Sequence, residues 1–200
     1  METQEKNLTT EESLKIIQTM INSARSKVAE DGFHLILWGV LVISCCIANY
    51  IFLKLEIGNW SGLPWLLLPF IGVSVGSYYE RRRTANGMTR SNEDLYISNI
   101  WLSYLFALIL VIVFSSISKT SPIPYILITT GMVTFTTGKI LKFTPLLIGG
   151  IIFWLSSLLC IQIRGEEQLL IQAVSIFTGY IIPGMLLNKK FKKENNVQAA

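Results

Sequence analysis

The stretch YISNIWLSYLFALILVIVFSSI, residues Tyr96–Ile117, contains no Asp, Glu, Lys or Arg. As a helix with a rise of 1.5 Å per residue, it is long enough to cross a bilayer hydrocarbon core about 30 Å thick. Five further runs share this lack of charge: Phe33–Leu53, Trp60–Tyr79, Ile123–Gly138, Pro145–Ile163 and Gln168–Asn188. The pattern predicts an all-α fold, an integral membrane helical bundle of six transmembrane helices preceded by a cytoplasmic amphipathic helix.

The composition supports a membrane protein without a separate soluble domain. Only 15% of the 200 residues are charged and 51% are hydrophobic, whereas a soluble domain has about 25% charged residues. We expect a cytoplasmic amphipathic arm over residues 1–31, the six-span bundle over 32–188 and a basic cytoplasmic tail over 189–200. The net charge of +4 is interpreted as basic membrane flanks, since no polar segment is large enough to grip nucleic acid.

The distribution of basic residues predicts the orientation. Fourteen of the 17 lysines and arginines lie in the N-terminal arm, in the second and fourth connections and in the tail. The other three connections hold only Lys54, Lys119 and Arg164. Because cytoplasmic connections are enriched in Lys and Arg, both termini of this multi-pass protein are predicted to be cytoplasmic.

The N-terminal arm has the pattern of a narrow amphipathic helix. Thr9 and Glu12 form a possible capping box, and apolar residues then recur every three or four positions at Leu14, Ile17, Ile21, Ala24 and Val28. We expect a helix of about 20 residues that ends near Gly32. Its apolar stripe suits either docking on the inner leaflet or pairing with another helix, in a protein partner or a second copy. The candidate cytoplasmic surface comprises Leu14, Ile17, Ile21, Arg81, Arg82 and Arg83.

Polar residues inside the runs recur on single helical faces. One face carries Gln168, Gln172, Ser175 and Gly179, and another carries Thr130, Thr134 and Thr137; Asn49, Asn99 and Ser103 add further polar groups. Because an amide in lipid has no hydrogen-bond partner, these faces are expected to point into the bundle. They either bond helix to helix or line a cavity for a small solute. Gly72 and Gly76 form a GxxxG pair that predicts a tight internal helix crossing.

Few residues could carry chemistry. Cys45, Cys46 and Cys160 lie within apolar runs and are interpreted as small buried hydrophobic residues. His34, the single histidine, is expected at the membrane interface, where Asp31 could contact it across one helical turn. The runs offer it no carboxylate for a proton relay. We therefore predict no catalytic residue, no metal site and no cofactor.

The beginning of the chain resembles that of a group of small bacterial membrane proteins of unknown activity. The residues that carry the resemblance are Ser13-Leu14, Ile17, Met20-Ile21, Ala24-Arg25, Gly32-Phe33 and Leu37-Trp38-Gly39. In that group an amphipathic arm leads into a polytopic bundle. The resemblance implies a bacterial inner-membrane location and supplies no catalytic residues.

These observations favour a non-enzymatic membrane protein of accessory or regulatory type that acts through helix–helix contacts. Its expected surroundings are the lipid bilayer and a protein partner or second copy reached through the arm, with no nucleic acid. The alternative is a small transporter or channel for a neutral or amphiphilic solute, in which the polar faces would line the pathway.

Overall fold

A computed structural model describes the backbone of residues 10–57, 62–85 and 92–189, and the side chains of residues 32–57, 62–82, 85 and 96–189. Within these ranges the chain is helical and contains no strand, which confirms the all-α prediction. The helices are α1 Thr10–Lys54, α2 Leu63–Ala85, α3 Asn92–Ser118, α4 Ile123–Ile140, α5 Thr144–Gln162 and α6 Glu167–Ile176. A π-helical turn, Phe177–Ile181, follows α6, and residues 182–189 continue the helix.

Four helical segments of the described chain are long and apolar enough to cross a membrane. They are Gly32–Lys54, Tyr96–Ser118, Thr144–Gln162 and Glu167–Lys189. The helices α2 and α4 lie where further spans are predicted, but they are less apolar. The last turns of α2 contain Glu80 and three arginines, and the 18 residues of α4 include five threonines and Lys139.

The first helix does not end where the sequence predicts. It begins at Thr10 and continues for 45 residues to Lys54, so the prediction of an end near Gly32 is wrong. Gly32 serves close packing instead, because a Cβ atom there would stand 3.2 Å from the carbonyl oxygen of Gly184. The predicted boundary between arm and bundle therefore falls inside one helix. The side chains of Leu14, Ile17 and Ile21 lie outside the described residues, so the amphipathic character of the arm stays a prediction.

The helices are arranged around a central group formed by α1, α4, α5 and α6. Helices α4 and α5 form a tight antiparallel hairpin whose turn contains Lys142, at a left-handed φ of 50°. Helix α6 packs between α1 and α5, while α2 packs against α1 and α3 packs against α4. Fully buried apolar side chains occupy the centre: Cys46, Leu127, Leu146, Phe153 and Cys160.

Glycines bring the backbones of α4, α5 and the π-helical turn into direct contact. A Cβ atom at Gly131 would stand 3.0 Å from the carbonyl oxygen of Gly150, and one at Gly149 would stand 2.6 Å from that of Gly179. Pro183 follows Gly179 by four residues and has no N–H to donate to that carbonyl. The carbonyl of Gly179 therefore lacks its α-helical i+4 donor and faces Gly149 at close range, a geometry that favours a weak Cα–H···O contact.

The outside of the bundle is strongly apolar. Phe70 is 73% exposed and Ile117 is 78% exposed, and both lie among many other exposed aliphatic and aromatic side chains. Soluble monomers rarely expose contiguous apolar surface on this scale. The surface is therefore compatible with a protein embedded in a membrane.

We predict that Gly149→Ala destabilises the protein by about 1–3 kcal/mol, because the new methyl group meets backbone that can move only if two helices separate. Thermal unfolding in detergent measures the effect. Gly62→Ala is the matched control, since no neighbouring atom of the described residues lies within 4 Å of its Cβ position. Equal unfolding temperatures for the two variants would contradict the close approach.

Candidate functional site

Two tyrosines and two threonines form a hydroxyl cluster inside the bundle, which we call the interior hydroxyl cluster: Tyr104, Thr130, Thr134 and Tyr180. The hydroxyls of Tyr104 and Thr130 are 2.8 Å apart, and those of Thr134 and Tyr180 are 3.1 Å apart. The Thr134 hydroxyl also donates to the carbonyl oxygen of Thr130, at 2.7 Å. Three elements, α3, α4 and the π-helical turn, are thereby connected through polar groups in the interior.

Helical geometry explains how these hydroxyls meet. Thr130 and Thr134 lie one turn apart on the buried face of α4, where they are 2% and 0% exposed. Tyr180 lies in the π-helical turn, and its ring packs edge-to-face on Phe153 of α5 with the ring centres 5.2 Å apart. On the α3 side, Trp101 packs edge-to-face on Tyr104 at 5.6 Å. The cluster pairs its own hydroxyls and includes no general base, so it is suited to holding helices together and not to acid–base chemistry.

The sequence analysis identified only half of this cluster. Thr130 and Thr134 were expected to face the interior, and both are buried. Tyr104 and Tyr180 were missed because tyrosines in membrane helices are expected near the two interfaces. Their positions well inside long apolar runs were the signal that could have identified them.

The polar face of α6 is buried but only partly hydrogen-bonded. The side-chain amide of Gln168 donates to the carbonyl oxygens of Cys160, at 2.7 Å, and of Ile163, at 2.8 Å, which fixes the turn between α5 and α6. Ser175 bonds to the carbonyl of Ile171 in its own helix. The side-chain oxygens of Gln168 and Gln172 are buried without a partner among the described residues.

Gln172 therefore differs in part from its prediction. It is 2% exposed, because the packing of Gly179 against α5 turns the same face of the helix inward. However, its Oε1 atom forms no hydrogen bond to another helix within the described chain. The expected helix-to-helix bond from this oxygen is absent there.

The two asparagines lie in different surroundings. Asn49 is half-buried towards the C-terminal end of α1. Asn99 is exposed on α3, so the prediction that it points into the bundle is wrong for this chain. The reason is the rotation of α3, which meets the bundle through Tyr104, five residues and about 140° around the helix from Asn99. The hydroxyl of Ser103 bonds to the Asn99 carbonyl within the same helix.

The predicted GxxxG pair lies along the contact between α1 and α2. A Cβ atom at Gly72 would stand 2.6 Å from the indole ring of Trp38, and one at Gly76 would stand 3.7 Å from His34. The Sγ atom of Cys45 donates to the carbonyl of Pro64 at 3.2 Å, farther along the same contact. The small residues therefore let an indole pack directly on the α2 backbone.

His34 has a carboxylate partner that the sequence analysis missed. Its Nε2 atom lies 3.3 Å from Oε1 of Glu80, a residue 46 positions away that directly follows the second apolar run. Next to this pair, the rings of Phe33 and Tyr79 stack with their centres 4.1 Å apart. The side chain of Asp31, the predicted partner, lies outside the described residues. No local spacing relates positions 34 and 80, and only the pairing of α1 with α2 brings them together.

The other charged side chains that the structure describes lie near helix ends. Lys54, at the end of α1, forms an ion pair with Glu166, just before α6. Arg81 and Arg82 are exposed at the end of α2, and the Arg82 guanidinium lies over the ring of Tyr78, 5.0 Å from its centre. Arg83 belongs to the helix, but its side chain is outside the described set. In the described part of the chain, no three His, Cys, Asp or Glu residues are grouped as a metal site would require.

Comparison of the chain with protein-family models, curated proteins and solved structures finds no match. The described residues form an all-helical protein with four helices long and apolar enough to cross a membrane and a hydroxyl cluster in its interior. The resemblance to small bacterial membrane proteins stays a prediction.

We predict that Thr134→Val, which preserves side-chain shape, destabilises the protein by about 1 kcal/mol because the Tyr180 hydroxyl loses its buried partner. The control is Thr136→Val on the exposed side of α4, where the hydroxyl bonds only to the Met132 carbonyl of its own helix. Thermal unfolding of both variants in detergent measures the difference. A shift no larger for Thr134→Val than for Thr136→Val would show that the cluster contributes nothing to stability.

Proposed function

We propose that this chain is a six-span protein of the bacterial inner membrane, with both ends cytoplasmic, which acts as a non-enzymatic accessory or regulatory component through helix–helix contacts. The observation that carries this proposal is the contrast between its interior and its periphery. The interior hydroxyls pair with one another between helices, while α2 and α3 lie at the edge with broad apolar faces exposed.

The arrangement of α4 supports counting it as a span despite its modest hydropathy. Its polar side chains, Thr130, Thr134 and Thr137, are buried, whereas Ile128 and Met132 are 43% and 58% exposed. These threonines lower the mean hydropathy of α4, although their side chains are buried and would not contact lipid. For α2, the charged residues are confined to the last turns, where a headgroup region can accommodate them.

The burial of α3 supports a role in contacts. Only 6% of the most apolar 18-residue stretch of Tyr96–Ser118 is buried inside the protein, compared with 56% of the corresponding stretch of Glu167–Lys189. In membranes, helices associate through packing and interhelical hydrogen bonds, and no hydrophobic force between helices is required. An exposed amide on α3, that of Asn99, gains a hydrogen-bond partner if another helix covers this face. We infer that α3 is the element that meets a partner protein or a second copy.

A transporter of a small neutral or amphiphilic solute is the second candidate. The observation that favours it is the set of buried, unpartnered oxygens on Gln168, Gln172 and Thr137 among the described residues. The π-helical turn beside Pro183 adds to it, because such turns occur frequently at functional sites. A solute with hydrogen-bond donors would satisfy these oxygens.

Cysteine labelling separates six spans from four. In a background lacking Cys45, Cys46 and Cys160, we expect Thr120→Cys to react with a membrane-impermeant maleimide in intact cells. Thr144→Cys should react only after permeabilisation, because α4 separates the two exposed positions. The same contrast is expected between Glu56→Cys and Ala85→Cys across α2. Reaction of both members of a pair from one side would remove the intervening helix from the set of spans.

Photo-crosslinking in native membranes tests the proposed contacts. A photoreactive phenylalanine replaces Phe106 on α3, which is 62% exposed, and Leu155 on α5, which is 61% exposed, serves as the matched control. We expect a discrete protein adduct from position 106 and lipid adducts alone from position 155. Lipid adducts alone from both positions would contradict a contact role for α3 and favour the transport alternative.

A further inference from the structure

We propose that the C-terminal end of α2 binds the phosphate of an anionic phospholipid of the inner leaflet, through Arg81, Arg82 and Tyr78. We call these three residues the headgroup site. The choice of leaflet rests on the proposed topology. The binding chemistry rests on the structure of α2 itself.

The two faces of α2 carry opposite charges near its end. Glu80 is turned towards α1, where it meets His34 at 3.3 Å. Arg81 and Arg82 are exposed, and neither forms an ion pair with a described residue. The acidic side chain is thus held in the contact with α1, while the basic side chains remain available to an anion outside the bundle.

Tyr78 gives the site a defined geometry. Its ring is 59% exposed and lies under the guanidinium of Arg82, 5.0 Å from the ring centre to the carbon of the guanidinium. A guanidinium stacked on an aromatic ring loses little freedom when it binds an anion, and its planar donors match two phosphate oxygens. Tyrosine also prefers the headgroup level of a bilayer.

An apolar strip leads from the site along the outside of α2, and this strip identifies the ligand as a lipid. Leu66, Phe70 and Val73 are 70%, 73% and 59% exposed. With Ser77 and Arg81 they recur every three or four residues, so they share one helical face. From Phe70 to Arg81 the helix rises about 16 Å, close to half of a hydrocarbon core of about 30 Å. An acyl chain can therefore lie along the strip while its phosphate meets the arginines.

Other anions fit less of this arrangement. A free phosphate or a soluble glycerophosphate would use the arginines and leave the strip unused. An acidic peptide would bind the arginines through its carboxylates but would place its polar backbone against the exposed apolar side chains of the strip. Only a lipid satisfies the charge and the apolar strip together.

The test compares lipid binding by purified protein in an uncharged detergent, measured by native mass spectrometry and by thermal unfolding. We expect phosphatidylglycerol to be retained in preference to phosphatidylcholine and to raise the unfolding temperature. The double substitution Arg81→Gln and Arg82→Gln should weaken this preference about thirtyfold. This figure is the affinity that two basic residues are expected to contribute at an anionic surface. Both side chains are exposed, so the variant should fold, and size-exclusion chromatography checks this.

The matched control is Lys119→Gln with Arg164→Gln, which removes the same charge from exposed residues in other connections. This control variant should keep the preference for phosphatidylglycerol. If both double variants lost the preference equally, the effect would come from net charge alone, and the proposed site would be overturned. Equal competition by soluble glycerophosphate would show an anion site without lipid selectivity, which also overturns the proposal. Because binding is measured in detergent, its failure is distinguishable from failure of the topology, which the cysteine labelling across α2 tests separately.

Discussion

The contact between the backbones of Gly149 and Gly179 sets the spacing around which the bundle is arranged. A side chain at either position would separate α5 from the helix that follows α6, since a Cβ atom at Gly149 would meet the Gly179 carbonyl at 2.6 Å. Pro183 supports this contact because it withdraws the usual intrahelical donor from that carbonyl. The π-helical turn at the same place carries Tyr180 towards the threonines of α4. The close packing on α5 and the hydrogen bond between Thr134 and Tyr180 therefore depend on one local irregularity of the chain.

The interior is more polar and the periphery more apolar than in a soluble bundle. Several hydroxyls and amides that would cost free energy against lipid are inside, and those of Thr130, Thr134 and Gln168 find hydrogen-bond partners there. The exposed faces of α2 and α3 consist largely of aliphatic and aromatic side chains. This distribution is stable where the surroundings are themselves apolar, and it makes the two peripheral helices the natural places for lipid and for other helices to bind.

The contact between α1 and α2 combines several kinds of interaction in one seam. Trp38 packs on the backbone at Gly72, the rings of Phe33 and Tyr79 stack, and His34 meets Glu80. The seam is the main attachment of α2 to the rest of the chain. It also holds Glu80 against His34, so that the charge pattern at the end of α2 follows from packing as much as from composition.

The positions of the helices were determined by the sequence alone, because helix formation depends on bonds between residues four apart and on uninterrupted apolar runs. Each predicted run coincides with a helix over most of its described residues, and Thr130, Thr134 and Gln172 could be placed inside from their spacing. Tertiary structure decided what no local pattern contains: the unbroken path of α1 through Gly32, the outward turn of Asn99, and the pairings of His34 with Glu80 and Thr134 with Tyr180. These depend on which surfaces of distant segments fit together, and the glycine contacts and the packing of aromatic rings set that fit. Each of the two pairs joins residues that are 46 positions apart in the chain.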